Sequence, residues 1–411
     1  MGTETKRLGV GIVGSGFMAQ FHIKSWVGVR DADIVAVWSR TRDHAESARV
    51  LCEDLGVGDP QVYTEVKKLA RDPEVDAVWL VVPNFVRLSM TEQIIEEVQL
   101  GNAELIGIAC EKPLAKNVRE AREMVKLVKG TNLIHGYLEN QVFAPAIVKG
   151  KKLMWGRGAK ASGRPYLARA AEEHSGPHSS WFWSGVKQGG GALNDMLCHS
   201  LEAARFLLTE PERHRDSIQI ESVNANTGFL KWTRPEYIEQ LKKNTDGKVD
   251  YSKSPSEDYA SANLRLTTET GQPAVIEATS SWCFTGSGLR INFELLGPEY
   301  SMKINSLNTD LQVFLGREVQ GEEGEDMIEK QNAEQGSMPV LTNEAETYGY
   351  IAENRHMVEH FLDGTPPRED WEDGLEVIQL LMASYMSAES GRELPFPPDG
   401  LEEFIPAVAK K

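Results

Sequence analysis

The sequence predicts an α/β protein: an N-terminal doubly wound parallel sheet, followed by an α+β domain with a mixed, largely antiparallel open sheet. Between residues 8 and 137, short apolar runs alternate with charged stretches of helical spacing, which is typical of a parallel sheet with helices on both faces. Segments 259–282 and 288–305 alternate polar with apolar residues instead, as antiparallel strands with one exposed face do. At 411 residues the chain is also too long for one typical core.

The predicted elements follow from these patterns in chain order. Nearly continuous apolar runs predict strands at 8–13, 34–38, 76–82, 105–110 and 132–137. Apolar residues at helical spacing predict the intervening helices at 17–28, 41–55, 88–100 and 116–129. Near the end of the chain, amphipathic helices are predicted at 344–362 and 371–391, and the charged segment 317–338 is predicted as an exposed loop. The first domain is predicted over residues 1–138 and the second over 139–411, with closing helices at 344–391.

The chain is acidic, with a formal net charge of −17. A negative surface repels phosphate backbones and anionic lipid, so neither nucleic acid nor a membrane is expected as a partner. No apolar run approaches the roughly 20 residues that cross a bilayer, and the N-terminus enters a predicted strand without a secretory signal. The cysteines are scattered and form no CxxC pair, so reduced thiols in a cytoplasmic protein are expected.

A glycine-rich stretch, GVGIVGSGFMAQFH, contains the pattern G-x-G-x-x-A as Gly14, Gly16 and Ala19 between a predicted strand and a predicted helix. In that context the first glycine makes a tight turn, the second lets a pyrophosphate approach the backbone, and the alanine keeps helix and strand close. The motif predicts a Rossmann domain that binds NAD(P); a generic strand-to-helix turn is the alternative. The predicted cofactor-binding residues of this turn are Gly14, Gly16, Phe17 and Met18.

Two further strand ends are predicted to face the cofactor. The second strand ends in Ser39 and Arg40, where an acid would hold the ribose 2′-hydroxyl of NAD; a hydroxyl and a guanidinium suit a 2′-phosphate and favour NADP over NAD. Arg40 can also stack on adenine in either cofactor, so the choice stays open. The third strand closes with Pro83 and Asn84, which are predicted at the carboxyl edge where ligands of open sheets bind. A simple turn is the alternative there.

The stretch CEKPLA follows another apolar strand and contains Glu111, Lys112 and Pro113. It predicts a lysine ammonium at the same sheet edge, where it can polarise a reacting hydroxyl. The X-Pro bond can be cis. A solvated lysine at the start of a helix is the alternative.

The stretch GGGALNDMLCHSLE, residues 189–202, places Asp195 four residues before His199. On a helix these two side chains share one face. Three glycines in a row are entropically costly, so something is expected to come close to that backbone. A solvated Asp–His helix pair is the alternative.

The stretch RAAEEHSGPHSSWFW combines polar and aromatic residues around a Gly-Pro turn. Aromatic faces stack on sugar rings and polar groups match hydroxyls, so the stretch predicts a sugar-binding segment; a packed loop is the alternative. No zinc or other metal site is expected, because the Gly-Pro pair breaks any helix that would align the two histidines. The substrate-binding residues predicted here are Arg169, His174, His178, Trp181 and Trp183.

These motifs occur in an order and spacing that resemble the Gfo/Idh/MocA oxidoreductases, the glucose–fructose oxidoreductase and inositol dehydrogenase family. Residues 358–394 also resemble the closing helices of that family. The resemblance implies hydride transfer between a nicotinamide cofactor and a secondary hydroxyl of a sugar, glycoside or cyclitol. The substrate stretch shows no cluster of Lys and Arg suited to a phosphate, so a neutral compound is expected rather than a sugar phosphate. It implies that Lys112, Asp195 and His199 are catalytic and contact substrate, that Glu111 and Lys112 line the cofactor, and that the chain forms a homodimer or homotetramer.

The resemblance also offers a reason for the three glycines. A side chain at Gly190 is expected to project toward substrate or nicotinamide, where the backbone is crowded. Two positions depart from the family pattern, because Leu197 stands where a glycine is usual and Arg87 where a histidine is frequent. Two other functions stay open: an enzyme that keeps NAD(P) tightly bound for epimerisation or glycoside elimination, and a binding protein that senses NAD(P) without turnover.

Overall fold

The computed structural model describes residues 7–315, 327–331 and 335–410. This part of the chain divides into two compact units. Unit 1 comprises residues up to 115, residues 119–144 and residues 348–376, and unit 2 comprises residues 116–118, residues 145–347 and the residues from 377 onward. The predicted fold class is confirmed, because each unit contains the kind of sheet that was predicted for it.

The strands of the described residues alternate with helices first and then follow one another more closely. They are β1 (Leu8–Val13), β2 (Ala32–Trp38), β3 (Gln61–Tyr63), β4 (Ala77–Leu80), β5 (Gly107–Glu111), β6 (Ile134–Leu138), β7 (Leu167–Glu173), β8 (Gln219–Gly228), β9 (Tyr259–Thr267), β10 (Pro273–Ser281), β11 (Arg290–Leu296), β12 (Ser301–Asn305), β13 (Leu311–Leu315), β14 (Gly336–Val340) and β15 (Leu394–Pro395).

The α-helices range from single turns to twenty residues. They are α1 (Phe17–Ser25), α2 (Arg42–Leu55), α3 (Val66–Ala70), α4 (Asn84–Gln99), α5 (Val118–Lys129), α6 (Pro145–Leu153), α7 (Lys160–Ser162), α8 (Gly185–Gln188), α9 (Ala192–Leu208), α10 (Pro235–Asn244), α11 (Glu344–Thr347), α12 (Tyr350–Asp363) and α13 (Trp371–Ser390). Among the residues described, no helix has the length and apolar character that crossing a membrane requires.

The sheet of unit 1 is parallel, and its strand order is β3-β2-β1-β4-β5-β6. The order runs outward in both directions from β1, which is the doubly wound arrangement. Strands β1, β4 and β5 are buried along their whole length, which explains why they read as continuous apolar runs. Strand β3 was missed by the sequence prediction, because three residues with an exposed Gln61 are too short to show a period.

Residues 348–376 pack within unit 1, although the sequence predicted the closing helices as part of the second domain. The reason lies in two glycines of the parallel sheet. A Cβ at Gly107 would come within 2.6 Å of the Phe361 ring, and one at Gly136 would come within 2.5 Å of the Met357 sulfur. Strand glycines therefore let α12 lie directly against β5 and β6.

The sheet of unit 2 has the order β12-β11-β7-β10-β9-β8-β15. The pairing of β7 with β10 is parallel, and the remaining pairs are antiparallel. Helix α9 packs against β7, β9 and β10, and every residue of this helix is buried. Residues of β9 and β11 alternate between buried and more exposed positions, so one face of the sheet carries the core and the other carries polar side chains.

A separate hairpin of unit 2 pairs β13 with β14. It overlaps the segment 317–338 that was predicted as an exposed loop. Residues 316–326 and 332–334 of this region lie outside the described residues. The described end of the segment, from 336, belongs to β14, so the loop prediction is wrong there.

Candidate functional site

The glycine-rich turn of unit 1 connects β1 to α1. Gly14 has φ +141°, and a Cβ there would lie 2.9 Å from the carbonyl carbon of Val81, so this position requires glycine. A Cβ at Gly16 would meet nothing within 4 Å. The turn therefore leaves open space beside the N-terminus of α1, and that space fits the pyrophosphate of a dinucleotide.

At the end of β2, Ser39 is buried whereas Arg40 is exposed. The Ser39 hydroxyl accepts a hydrogen bond from the Ser15 hydroxyl at 2.8 Å. An exposed guanidinium at the end of this strand suits either a 2′-phosphate or an adenine ring. Phe17 is 44% exposed at the start of α1.

The ends of β4 and β5 carry the other predicted cofactor residues. Pro83 precedes the first residue of α4, Asn84, which is buried. Lys112 is half-buried after β5, and its peptide bond to Pro113 is cis. These residues lie at the carboxyl edge of the parallel sheet, as predicted.

Glu111 is a buried carboxylate whose partner was not predicted. Its Oε1 lies 3.1 Å from Nε2 of His22 on α1. Burial raises the pKa of Glu111, but the hydrogen bond and charge of His22, with the charges of Lys112 and Arg87, outweigh burial and lower it. The second ring nitrogen of His22 lies 3.2 Å from the side-chain oxygen of Asn354 on α12. Through His22, Glu111 is thus connected to α1 and to α12, a helix that is distant in sequence.

In unit 2, the predicted catalytic pair is brought together on α9. Asp195 and His199 lie one turn apart and are 5% and 3% exposed. Nε1 of Trp282 donates to Oδ2 of Asp195 at 3.0 Å. Nε2 of His174 lies 3.9 Å from the same carboxylate oxygen, and Nε2 of His199 lies 3.9 Å from Oε1 of Glu172. This unit 2 cluster, defined by Glu172, His174, Asp195, His199 and Trp282, thus places a carboxylate oxygen 3.9 Å from each imidazole, where its negative charge would favour a proton on the ring.

The unit 2 cluster contains two residues that sequence reasoning missed. Glu172 lies on β7 and His174 directly follows the end of that strand, and the period of two of an extended chain turns both side chains to the same side; that signal was available. Trp282 follows β10, which pairs with β7. Nothing in the sequence alone indicated that pairing.

The remaining predicted substrate residues have different surroundings. Arg169 lies on the opposite face of β7 from Glu172, where it is paired with Glu277 at 2.6 Å and Glu294 at 3.5 Å. The structure therefore does not bring Arg169 to the unit 2 cluster, and its predicted substrate role is corrected. The odd spacing between residues 169 and 172 on a strand explains the separation.

The aromatic part of the same stretch divides in two. Trp183 is 4% exposed and packs with Trp232 and Trp282, with ring centroids 4.9 Å and 5.2 Å away; it is a core residue rather than an open sugar platform. Trp181 stacks on Phe182 at 3.8 Å.

Burial, with the nearby charge of Lys330, lowers the pKa of His178 to about 4. That imidazole is therefore neutral at neutral pH.

The three glycines before α9 face protein atoms, so the predicted reason for them is wrong. Gly189 has φ +92°, which favours glycine. A Cβ at Gly190 would lie 2.7 Å from the ring carbon that bears the Tyr385 hydroxyl, and one at Gly191 would lie 2.8 Å from the carboxyl carbon of Glu257. These glycines make room for neighbouring side chains of unit 2.

Glu257 caps the N-terminus of α9 from another part of the chain. Its Oε1 accepts from the main-chain N–H groups of Gly191 and Leu193 at 2.9 and 3.0 Å, and from the Tyr385 hydroxyl at 2.5 Å. Burial raises its pKa to about 7, although these hydrogen bonds oppose the change. Glu257 and Tyr385 thereby hold the helix that carries Asp195 and His199.

Comparison with known proteins places this fold and these motifs in a family. An oxidoreductase-family model with an NAD-binding Rossmann fold matches residues 8–137, and the C-terminal-domain model of the same Gfo/Idh/MocA group matches residues 158–302. The chain belongs to the Gfo/Idh/MocA oxidoreductase family. Both sheets described above lie largely within the two matched regions of this family.

Among family members, the chain is 27% identical to a 1,5-anhydro-D-fructose reductase of Ensifer adhaerens, over 49% of this chain and 56% of that protein. It is 27% identical to a levoglucosan dehydrogenase of Pseudarthrobacter phenanthrenivorans, over 50% of this chain and 52% of that protein. The matched segment thus spans about half the length of these two relatives. A myo-inositol 2-dehydrogenase of Thermotoga maritima matches at 23% identity over 96% of this chain and 99% of that protein.

Solved structures agree with the fold. GenD2 from gentamicin A biosynthesis, in complex with NAD, superposes with a TM-score of 0.75 at 23% identity and covers 96% of this chain and 98% of that one. Levoglucosan dehydrogenase in complex with NADH and levoglucosan superposes with a TM-score of 0.69 at 21% identity, covering 95% and 100%.

Proposed function

We propose that this family member is an NAD(P)-dependent dehydrogenase that acts on a secondary hydroxyl, or the corresponding ketone, of a small neutral sugar, glycoside or cyclitol. The observation that carries the proposal is the unit 2 cluster. There Asp195 and His199 are buried on one helical face, and the imidazole lies 3.9 Å from a second carboxylate, that of Glu172. A buried imidazole beside a carboxylate is suited to general acid–base chemistry on an alcohol.

The cofactor would be held by unit 1. The open space at Gly16 and the exposed Arg40 support this assignment. When bound, the nicotinamide supplies the hydride acceptor or donor. The proposed cofactor-binding residues are Gly14, Gly16, Phe17, Met18, Ser39, Arg40, Pro83, Asn84, Glu111 and Lys112.

The chain's own residues then handle the proton and the charge. In alcohol oxidation, His199 takes the hydroxyl proton at Nε2, and the nearby Glu172 carboxylate favours the resulting imidazolium. The ammonium of Lys112 stabilises negative charge that develops on the substrate oxygen. Asp195, fixed by the indole N–H of Trp282, accepts a hydrogen bond from substrate and orients it. In the reverse direction the same groups return the proton.

The substrate class follows from polar groups rather than from a phosphate site. Carboxylates and imidazoles of the unit 2 cluster match neutral hydroxyls, whereas carboxylates repel a sugar phosphate. The printed names of the relatives, which include a levoglucosan dehydrogenase and a myo-inositol 2-dehydrogenase, support a neutral polyhydroxy compound. His174, His178 and Trp181 stay proposed substrate residues. No separate observation favours epimerisation, glycoside elimination or sensing, and the homodimer or homotetramer stays a prediction.

The proposal is tested with a panel of anhydrosugars, pyranosides, inositols and sugar phosphates, offered with NAD or NADP and followed by the absorbance of reduced nicotinamide. We expect turnover with a neutral compound. Lys112→Met should lower kcat by about 10²-fold because it removes the stabilising charge, and His199→Asn by about 10²–10⁴-fold because it removes the base. His214→Asn, at a largely exposed histidine of the same unit, is the matched control and should leave kcat unchanged. Wild-type turnover in either site variant would overturn the proposed roles.

A further inference from the structure

Arg87 is a buried arginine near the start of α4. It is 4% exposed. Burying a guanidinium is costly unless its donors are satisfied. The partners of this side chain therefore indicate what the chain gains from keeping an arginine there.

The guanidinium donates to three main-chain carbonyls. Nε donates to Val82 at 3.0 Å, Nη2 donates to Lys112 at 3.0 Å, and Nη1 donates to Pro113. Val82 follows β4, and the other two carbonyls follow β5. The guanidinium of Arg87 thus bridges the carboxyl ends of two neighbouring parallel strands, at the sheet edge where Lys112 lies.

This arrangement uses a property that arginine has and histidine lacks. A planar guanidinium offers five N–H donors in a fixed geometry, so one side chain can satisfy three carbonyls at once. An imidazole would reach fewer of them. Through these three hydrogen bonds Arg87 links the main chain that follows β4 to the main chain that follows β5.

We propose that Arg87 is a positioning residue that fixes the main chain of Lys112, and through it the site from which the lysine ammonium acts. The inference rests on the proposed function, because it gives meaning to Lys112 as the charge-stabilising group. Displacement of a catalytic group by about 1 Å can cost about 10²-fold in rate. Arg87 therefore acts on turnover without touching substrate.

The test is a double-mutant cycle with purified full-length protein. Arg87→Ala should lower kcat by about 10- to 100-fold and leave the KM values of substrate and cofactor within about twofold. In a Lys112→Met background, the same substitution should cause no further loss, because the group it positions is gone. Added guanidinium should restore kcat of Arg87→Ala but not of Arg87→Ala with Lys112→Met. An additive loss in the cycle, or a loss confined to KM, would overturn the positioning role.

Two further variants complete the test. Arg87→Lys retains the positive charge but not the planar guanidinium that donates to three carbonyls. It tests the inference if Arg87→Ala does not fold. Its kcat should also fall, and full activity would contradict the proposed bridge. Arg71→Ala is the matched control. Arg71 contacts Glu97, a residue near the end of α4, at 2.6 Å, and its substitution should leave kcat unchanged.

A readout independent of turnover is the ¹³C signal of dimethylated Lys112, assigned by its loss in Lys112→Met. The signal should shift or broaden in Arg87→Ala and stay unchanged in Arg71→Ala; an unchanged signal in Arg87→Ala counts against the inference. If Lys112→Met alone keeps wild-type turnover, the proposed function fails. If Lys112→Met loses activity but Arg87→Ala does not, only this inference fails.

Discussion

Gly190→Ala is the substitution that separates a structural from a substrate-facing role for the glycines before α9. The added Cβ would lie 2.7 Å from the hydroxyl-bearing carbon of Tyr385 and 3.1 Å from Cβ of Asn194. The first distance is shorter than carbon atoms approach one another, and the second requires Asn194 to shift by a few tenths of an ångström. Tyr385 must move, and the hydrogen bonds that its hydroxyl makes with Glu257 and with the main-chain N–H of Gly191 are lost.

The magnitude follows from these contacts. Overpacking in a well-packed core costs about 1–3 kcal/mol, and loss of a hydrogen bond to a buried acidic group costs about 1.5–3 kcal/mol. The free energy of unfolding should therefore fall by about 2.5–6 kcal/mol. For a unit of this size, 1 kcal/mol lowers Tm by about 2–4 °C, so Tm should fall by about 5–24 °C.

The assay is thermal unfolding by circular dichroism, with activity measured per folded molecule. Gly156→Ala is the matched control in the same unit, because a Cβ there meets nothing within 4 Å; its Tm should not fall. Adding Tyr385→Phe to Gly190→Ala should cost less than the sum of the two, since both substitutions remove the same hydrogen bonds of the Tyr385 hydroxyl. A wild-type Tm for Gly190→Ala, combined with a raised KM, would refute this reasoning and restore a substrate-facing glycine.

Two other predictions concern charge. The folded-state pKa of Glu257, about 7, lies above the ordinary value of 4.5, so its stabilising contribution is present below pH 4.5 and is lost as pH rises to 7. The free energy of unfolding of the wild type, relative to Glu257→Gln, should therefore fall by about 3 kcal/mol over that range. Denaturant unfolding of both proteins at several pH values measures this difference, and a difference that does not change with pH would contradict the prediction. Arg40→Ala should weaken NADP binding by about 1.5–3 kcal/mol and leave NAD binding nearly unchanged if Arg40 binds the 2′-phosphate. Equal losses in a titration with both cofactors would count against that role.

Local patterns predicted most of the parallel sheet, because its central strands β1, β4 and β5 are buried along their whole length and therefore show as continuous apolar runs. The same reasoning found the turn at Gly14 and the helical pair of Asp195 and His199, whose spacing is a property of the helix itself. It failed where the cause is tertiary. Nothing near Gly190 in sequence indicates Tyr385, and nothing near β5 indicates that α12 packs against it.

Residue type alone also misassigned two substrate candidates. Arg169 and Trp183 stand in a polar, aromatic stretch that suits a sugar, yet the alternation of the strand turns one to the opposite face and a cluster of indoles buries the other. Conversely, Glu172 lies two residues from His174 and could have been found by applying the strand period. The composition of a segment therefore indicates that it can contribute to a site, whereas its strand or helix period decides which of its side chains lie on the same face.

The packing of α12 on Gly107 and Gly136 has a consequence for biosynthesis. Unit 1 takes its last elements from residues 348–376, so a ribosome has made more than two hundred residues of unit 2 before unit 1 can complete its core. Until then the nascent parallel sheet lacks the apolar cover that Met357 and Phe361 provide. A fragment that ends at residue 144 should therefore expose that surface and aggregate, whereas one to which residues 348–376 are joined by a linker should be recovered as a folded unit.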